Sequence, residues 1–80
     1  MTNIKKIDLQ FISLIFKKAI NSKEKLTLDS KFEQVKGWDS LGHMKILSAI
    51  EKNLKVTFEI DEIVGINTIK KLVSLIKKKL

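Results

Sequence analysis

The residues best placed to do chemistry lie in one stretch, Gly37-Trp38-Asp39-Ser40-Leu41. The apolar positions Leu41, Met44, Leu47, Ile50 and Leu54 follow in steps of three and four, so the serine sits where a helix starts. A helix start carries backbone N–H groups with no partner inside the helix. Those donors and the positive end of the helix dipole favour an anion, which suits a hydroxyl that carries a phosphate ester. Serine is also among the commonest N-cap residues, and a plain cap, worth about 1 kcal/mol, explains Ser40 by position alone. Both readings stand at this point.

Other chemistry has little to build on. His43, the sole histidine, follows Ser40 by three residues and on a helix can approach it. A serine hydrolase also needs an orienting acid and an oxyanion hole, and neither is evident. With no cysteine to join it and the carboxylates scattered, His43 is expected to face solvent, and no metal site is expected. Asp61-Glu62, or Asp39 with Glu33, are the available carboxylate pairs, but adjacent acids opening a helix are dipole partners rather than acid and base. No glycine-rich phosphate loop occurs. The chain reads as a non-enzyme, and any thiol chemistry needs a thiol brought from outside.

The elements that must position Ser40 read as follows. From Asn3 to about Ile20, Ile4, Ile7, Phe11, Leu14, Ile15 and Ala19 recur at helical spacing, with Thr2 or Asn3 as cap and Asn21-Ser22 as the end. Residues 21–39 have no sustained period. They are expected to form an ordered crossing loop pinned by Leu26, Leu28, Phe32 and Val35, with Asp29-Ser30 starting a short turn. A second helix runs from Leu41 to about Asn53, with Gly42 in its first turn, where a glycine costs about 0.5–1 kcal/mol against alanine. Gly42 marks either tolerated drift near a frayed end or close approach by a prosthetic group or partner. Trp38 is expected as a lid on the edge of the core. After an extended link at residues 55–58, a brief helix from Glu59 to Val64 carries acids in its first turn, with Gly65 at a C′ position of positive φ. Asn67 or Thr68 then caps a last helix to about Lys79, with Ile69, Leu72, Val73, Leu75 and Ile76 inward and Lys77-Lys78-Lys79 as a solvated end. The fold class is therefore all-α, a four-helix bundle of three longer helices and one short one, with residues 1–80 as one domain.

Composition narrows the class further. Apolar residues are 44% of the chain, too many for a disordered one. The net charge of +7 comes from lysine, with no arginine. A basic balance points to nucleic acid or an anionic surface as the alternative function. The missing arginine fork and the absence of an aromatic row for stacking bases argue against that alternative. No apolar run approaches the ~20 residues that span a bilayer, and the N-terminal stretch is too interrupted for a signal-peptide core, so a cytoplasmic protein is expected. A monomer is expected as well.

Trp38-Asp39-Ser40-Leu41, followed by helical apolar positions, resembles the phosphopantetheine-attachment motif of acyl carrier proteins. The four-helix order, the long first loop, the motif near mid-chain and the stretch from Phe58-Glu59-Ile60 to Thr68 are similar to that family's layout. The form Trp38-Asp39-Ser40-Leu41-Gly42-His43-Met44 is similar to free-standing carriers of specialised pathways. The resemblance implies that a phosphopantetheinyl transferase moves 4′-phosphopantetheine from coenzyme A onto Ser40. The arm's thiol then holds acyl or aminoacyl groups as thioesters, loaded by a ligase or synthase and passed to downstream acyl-transfer enzymes. It further implies that Asp39 helps the transferase and its magnesium dock, that Leu41 is the apolar contact beside the arm, and that Ile46, Ile50, Ile63, Ile66 and Ile69 line an acyl shelter. One departure is plain. Family members are acidic along the second helix, whereas here it carries Lys45, Lys52 and His43 against Glu51 alone.

Overall fold

The structure is a computed structural model that describes residues 8–80. Its helices are α1 (Leu9–Ile20), α2 (Ser40–Leu54), α3 (Ile60–Gly65) and α4 (Ile69–Lys79). The all-α expectation holds: among the described residues the extended pairing is a single antiparallel bridge, Lys31 with Thr68.

Each helix begins and ends for a local reason. Asp8 caps α1, its carboxylate accepting from the Phe11 N–H at 3.0 Å, and Asn21 closes it in the left-handed region at φ 56°. The expected helix does not run through Asp8, which is extended at φ −130° and ψ −178°; the expected start at Asn3, its caps Thr2 and Asn3, and the inward positions Ile4 and Ile7 lie outside the described residues. α2 ends one residue beyond Asn53, with Lys55 left-handed at φ 57°. Thr68 caps α4 as expected, its hydroxyl accepting from the Lys71 N–H at 3.1 Å. α3 is shifted by one residue from Glu59–Val64, because Glu59 stands outside as its N-cap while the Glu62 carboxylate reaches back to the Glu59 N–H at 2.8 Å. Gly65 is the last residue of α3. It does not adopt the expected positive φ and has open space around its Cα.

The core is a single cluster drawn from α1, α2, α4 and the connecting segments, with Ile63 of α3 packed against it. α1 gives Ile12, Ile15 and Phe16; α2 gives Ile46, Leu47 and Ile50; α4 gives Ile69, Leu72 and Ile76. Within each helix these fall on one face at steps of three and four. Leu14, expected inward, is 53% exposed, since it lies two residues from both Ile12 and Phe16 and so on another face of α1. Leu41 and Met44 are likewise on the outside of α2. Val73 and Leu75 of α4 are partly buried, packed against the core.

The 21–39 loop is fixed by backbone bonds as much as by side chains. Leu26 and Val35 are buried and Phe32 packs partly buried against the core, but Leu28, expected as a pin, is exposed. What pins that point is the Leu28 carbonyl, which accepts from the Lys70 N–H at 3.0 Å. The Ser30 carbonyl accepts from the Ile69 N–H at 3.0 Å, and the Asn67 carbonyl from the Phe32 N–H at 2.9 Å, so the loop is laced to the start of α4. Asp29-Ser30 do not open the expected short turn but close one, the Ser30 N–H reaching the Thr27 carbonyl at 3.0 Å; a helical turn follows from Lys31, whose carbonyl accepts from the Gln34 N–H at 3.0 Å and the Val35 N–H at 3.3 Å.

At the end of α4, Lys79 corrects the expectation of a wholly solvated lysine run. Its ammonium lies 2.8 Å from the Glu62 carboxylate and 5.6 Å from the centroid of the Phe58 ring. The Glu62 carboxyl is held below the ordinary carboxylate range, first by the Glu59 backbone N–H and then by Lys79.

The Ser40 turn as a candidate attachment site

Ser40 is the first residue of α2, and Asp39 rather than Ser40 is the cap. Asp39 is extended and its Oδ1 accepts from the Gly42 N–H at 2.9 Å, while its carbonyl accepts from the His43 N–H at 2.7 Å. The capping duty is thus discharged by the neighbour, and the exposed Ser40 side chain is left with no structural task there. Leu41 beside it is 68% exposed. The N–H groups of Ser40 and Leu41 have no intrahelical acceptor and stand at the positive end of a 15-residue helix. This local chemistry fits a phosphodiester on Ser40.

The underside of the turn is tightly packed. Trp38 is fully buried, at the heart of the core rather than on its edge as expected, with its ring edge-on to Phe16 (centroids 5.0 Å apart) and to Phe32 (5.9 Å). Gly42 is buried as well. A Cβ there would stand 1.9 Å from the Gly37 carbonyl oxygen and 3.1 Å from Ile20 Cγ2. The close approach that its missing side chain permits is therefore made by the chain's own loop, at Gly37, which holds φ +87°. Neither a frayed helix end nor a prosthetic group accounts for Gly42.

His43 also departs from expectation. It is 7% exposed, with its Nδ1 2.9 Å from the Trp38 indole nitrogen and its Nε2 2.9 Å from the Ile63 carbonyl. The ring of Phe32 packs edge-on against it at 5.2 Å. A signal for this was present in the sequence: His43, Ile46, Leu47 and Ile50 follow the i, i+3, i+4, i+7 pattern of an inward face, which shares Leu47 and Ile50 with the run that starts at Leu41.

Of the five isoleucines tied to an acyl shelter, Ile46, Ile50, Ile66 and Ile69 are buried in the core, and Ile63 on α3 packs partly buried against it. On the outer side of α2, Leu41, Met44, Lys45, Ser48, Ala49 and Lys52 line a shallow groove of about 430 Å³ that runs away from Ser40. Among the described residues no cluster of three or more metal-ligating side chains occurs, and no helix is long and apolar enough to cross a membrane.

Residues 10–76 match the family described as phosphopantetheine attachment site. The chain is 30% identical over 76 residues to acyl carrier proteins of two strains of Buchnera aphidicola subsp. Acyrthosiphon pisum, Tuc7 and APS, covering 95% of each chain. Its fold matches the solution structure of a holo acyl carrier protein from Geobacter metallireducens with a TM-score of 0.79 and 26% identity, over 89% of this chain and 83% of that one. These matches favour a carrier over a nucleic-acid-binding module, and they make 4′-phosphopantetheine its prosthetic group. The chain belongs to the phosphopantetheine-attachment family and is an acyl carrier protein.

Proposed function

We propose that residues 1–80 form one carrier domain whose Ser40 is the anchoring hydroxyl, and that the chain itself catalyses nothing. The observation that carries this is the division of labour at the turn: Asp39 does the capping, and the Ser40 hydroxyl is exposed at a helix start backed by a fully buried Trp38. In the attachment step the Ser40 Oγ–P bond forms as the pyrophosphate link of coenzyme A breaks, adenosine 3′,5′-bisphosphate leaves, and the hydroxyl gives up its proton. Once attached, the arm supplies the terminal thiol on which acyl groups are held as thioesters, which agrees with a chain that has no cysteine of its own to compete.

Asp39 fixes the turn that a phosphopantetheinyl transferase and its magnesium must reach, and Leu41 is the apolar surface against which the arm lies. Ile46, Ile50, Ile66 and Ile69, with Ile63 as the movable wall, are the residues an acyl chain would lie among once α3 shifts. A loading ligase or synthase and downstream acyl-transfer enzymes meet a monomeric, cytoplasmic carrier on the outer face of α2. There Leu41 and Met44 are exposed and Lys45 and Lys52 supply the charge. Such a face favours a partner that is less basic or more apolar than one built for an acidic carrier.

The test is a mass measurement. Incubation with coenzyme A, magnesium and a broad-specificity phosphopantetheinyl transferase is expected to add one phosphopantetheinyl unit to the wild-type chain and nothing to Ser40→Ala. An unmodified wild type, or modification that survives in Ser40→Ala, overturns the assignment.

A further inference from the structure

The two bonds of His43 fix its chemical form. An indole nitrogen only donates and a peptide carbonyl only accepts. Nδ1, which faces the Trp38 N–H, therefore carries the lone pair, and Nε2 carries the proton given to the Ile63 carbonyl. Only a neutral imidazole in that tautomer satisfies both partners at once. The groups that face the ring are the Phe32 and Trp38 rings from the loop and the Ile63 carbonyl from α3. Among the described residues no carboxylate lies within ion-pair distance of either ring nitrogen.

The two partners are far apart in function. Trp38 directly precedes Asp39 and Ser40 and underlies the attachment turn. Ile63 belongs to α3, a six-residue helix with no buried residue of its own, tied by Glu62 to Lys79. An element with so little buried surface depends heavily on its few specific bonds. The imidazole is thus one continuous bonded path from the Ser40 turn to α3.

We infer that His43 is a positioning residue that couples the seat of the Ser40 turn to the seat of α3. The inference rests on the proposed roles of Ser40 as anchor and of α3 as movable wall. Drawing Trp38 away leaves a buried lone pair on Nδ1 without a donor, at a cost comparable to a lost hydrogen bond. Rotation of the 7% exposed ring toward solvent, which can supply that donor, breaks its bond to the Ile63 carbonyl. A partner that shifts the turn would in this way loosen α3, so that docking at the anchor and opening of the cargo shelter become one event.

The coupling can be read on the apo chain without any transferase, so its failure is separate from that of the Ser40 assignment. Trp38→Phe removes the indole N–H but leaves an aromatic ring. It is expected to raise amide hydrogen exchange at residues 63–66 by about tenfold beyond any change in α1 and α4, as befits loss of one buried bond. His43→Phe is expected to do the same, and His43→Gln, which keeps one acceptor and one donor, to return exchange to within about threefold of wild type. Imidazole ¹⁵N shifts of the wild-type chain are expected to show the proton on Nε2, a measurement that needs no variant to fold. Exchange at residues 63–66 that only follows α1 and α4, no rescue by glutamine, or a proton on Nδ1 overturns the coupling.

Discussion

At the scale of single residues, the Ser40 turn shows which side chains speak through type and which through contact. Asp39 and Ser40 were legible as the place where α2 begins, although the capping side chain is that of Asp39 rather than Ser40. Gly42 and His43 were not, because their partners come from elsewhere: the Gly37 carbonyl and Ile20 for one, Trp38 and Ile63 for the other. Gly42→Ala makes the point measurable. Alanine ordinarily gains about 0.5–1 kcal/mol in a helix, but here its Cβ would meet a backbone oxygen that no rotamer change can move aside. Overpacking of that kind costs about 1–3 kcal/mol, so urea denaturation is expected to show net destabilisation. Asp39 separates two roles in the same way. Asp39→Ala should lose about 1 kcal/mol with its cap, while Asp39→Asn, which caps nearly as well, should keep the stability. Any fall in the rate of transferase modification that persists in Asp39→Asn would then report on docking rather than on the helix start.

Among the elements, α1, α2 and α4 were legible from apolar spacing and cap chemistry, with Asn21 and Thr68 acting where expected. The phase of the inward face was not. Leu14, Leu41 and Met44 fit the same three-and-four stepping as the true core positions, and only packing decides which stripe turns in. The loop was legible as ordered but not in its means, since the bonds from Leu28, Ser30 and Asn67 are made by backbone atoms that carry no residue signature. α3 is the element whose stability is most open to a simple test. Glu62 is favoured as a carboxylate by the Glu59 N–H and by Lys79, so its folded pKa lies below its unfolded one. The stability it contributes is therefore present above the ordinary glutamate range and is lost as pH falls through the depressed folded value. Once corrected for the intrinsic slowing of amide exchange in acid, exchange in α3 should increase across that interval in the wild type. In Glu62→Gln the same increase should be smaller, because no charge remains to be lost, and an equal response in both chains would remove Glu62 as the cause.

Over the whole molecule, the fold is that of an acyl carrier while the charge is reversed from what its resemblance to that family implied, at +7 with no arginine. Net charge says little about fold and much about encounter, which is why the architecture could be read from spacing while the partner could not be named. Near Ser40 the departure is concentrated on α2, where Lys45 and Lys52 flank exposed Leu41 and Met44, and Glu51 turns instead to the Phe58 N–H at 2.9 Å. Glu51 is therefore engaged in holding the link to α3 and offers little to a basic partner. A synthase with a basic carrier-binding face should meet this surface with repulsion, and repulsion between exposed charges falls as salt rises, because the screening length is only about 10 Å at 0.1 M. Loading of the phosphopantetheinylated chain by such a housekeeping synthase is expected to be slow at low salt and to speed up as salt is added. The double variant Lys45→Glu, Lys52→Glu should be loaded faster at low salt and should slow with added salt, as attraction replaces repulsion. Full loading of the wild type at physiological salt, equal to that of the double variant, would mean that α2 charge does not select the partner.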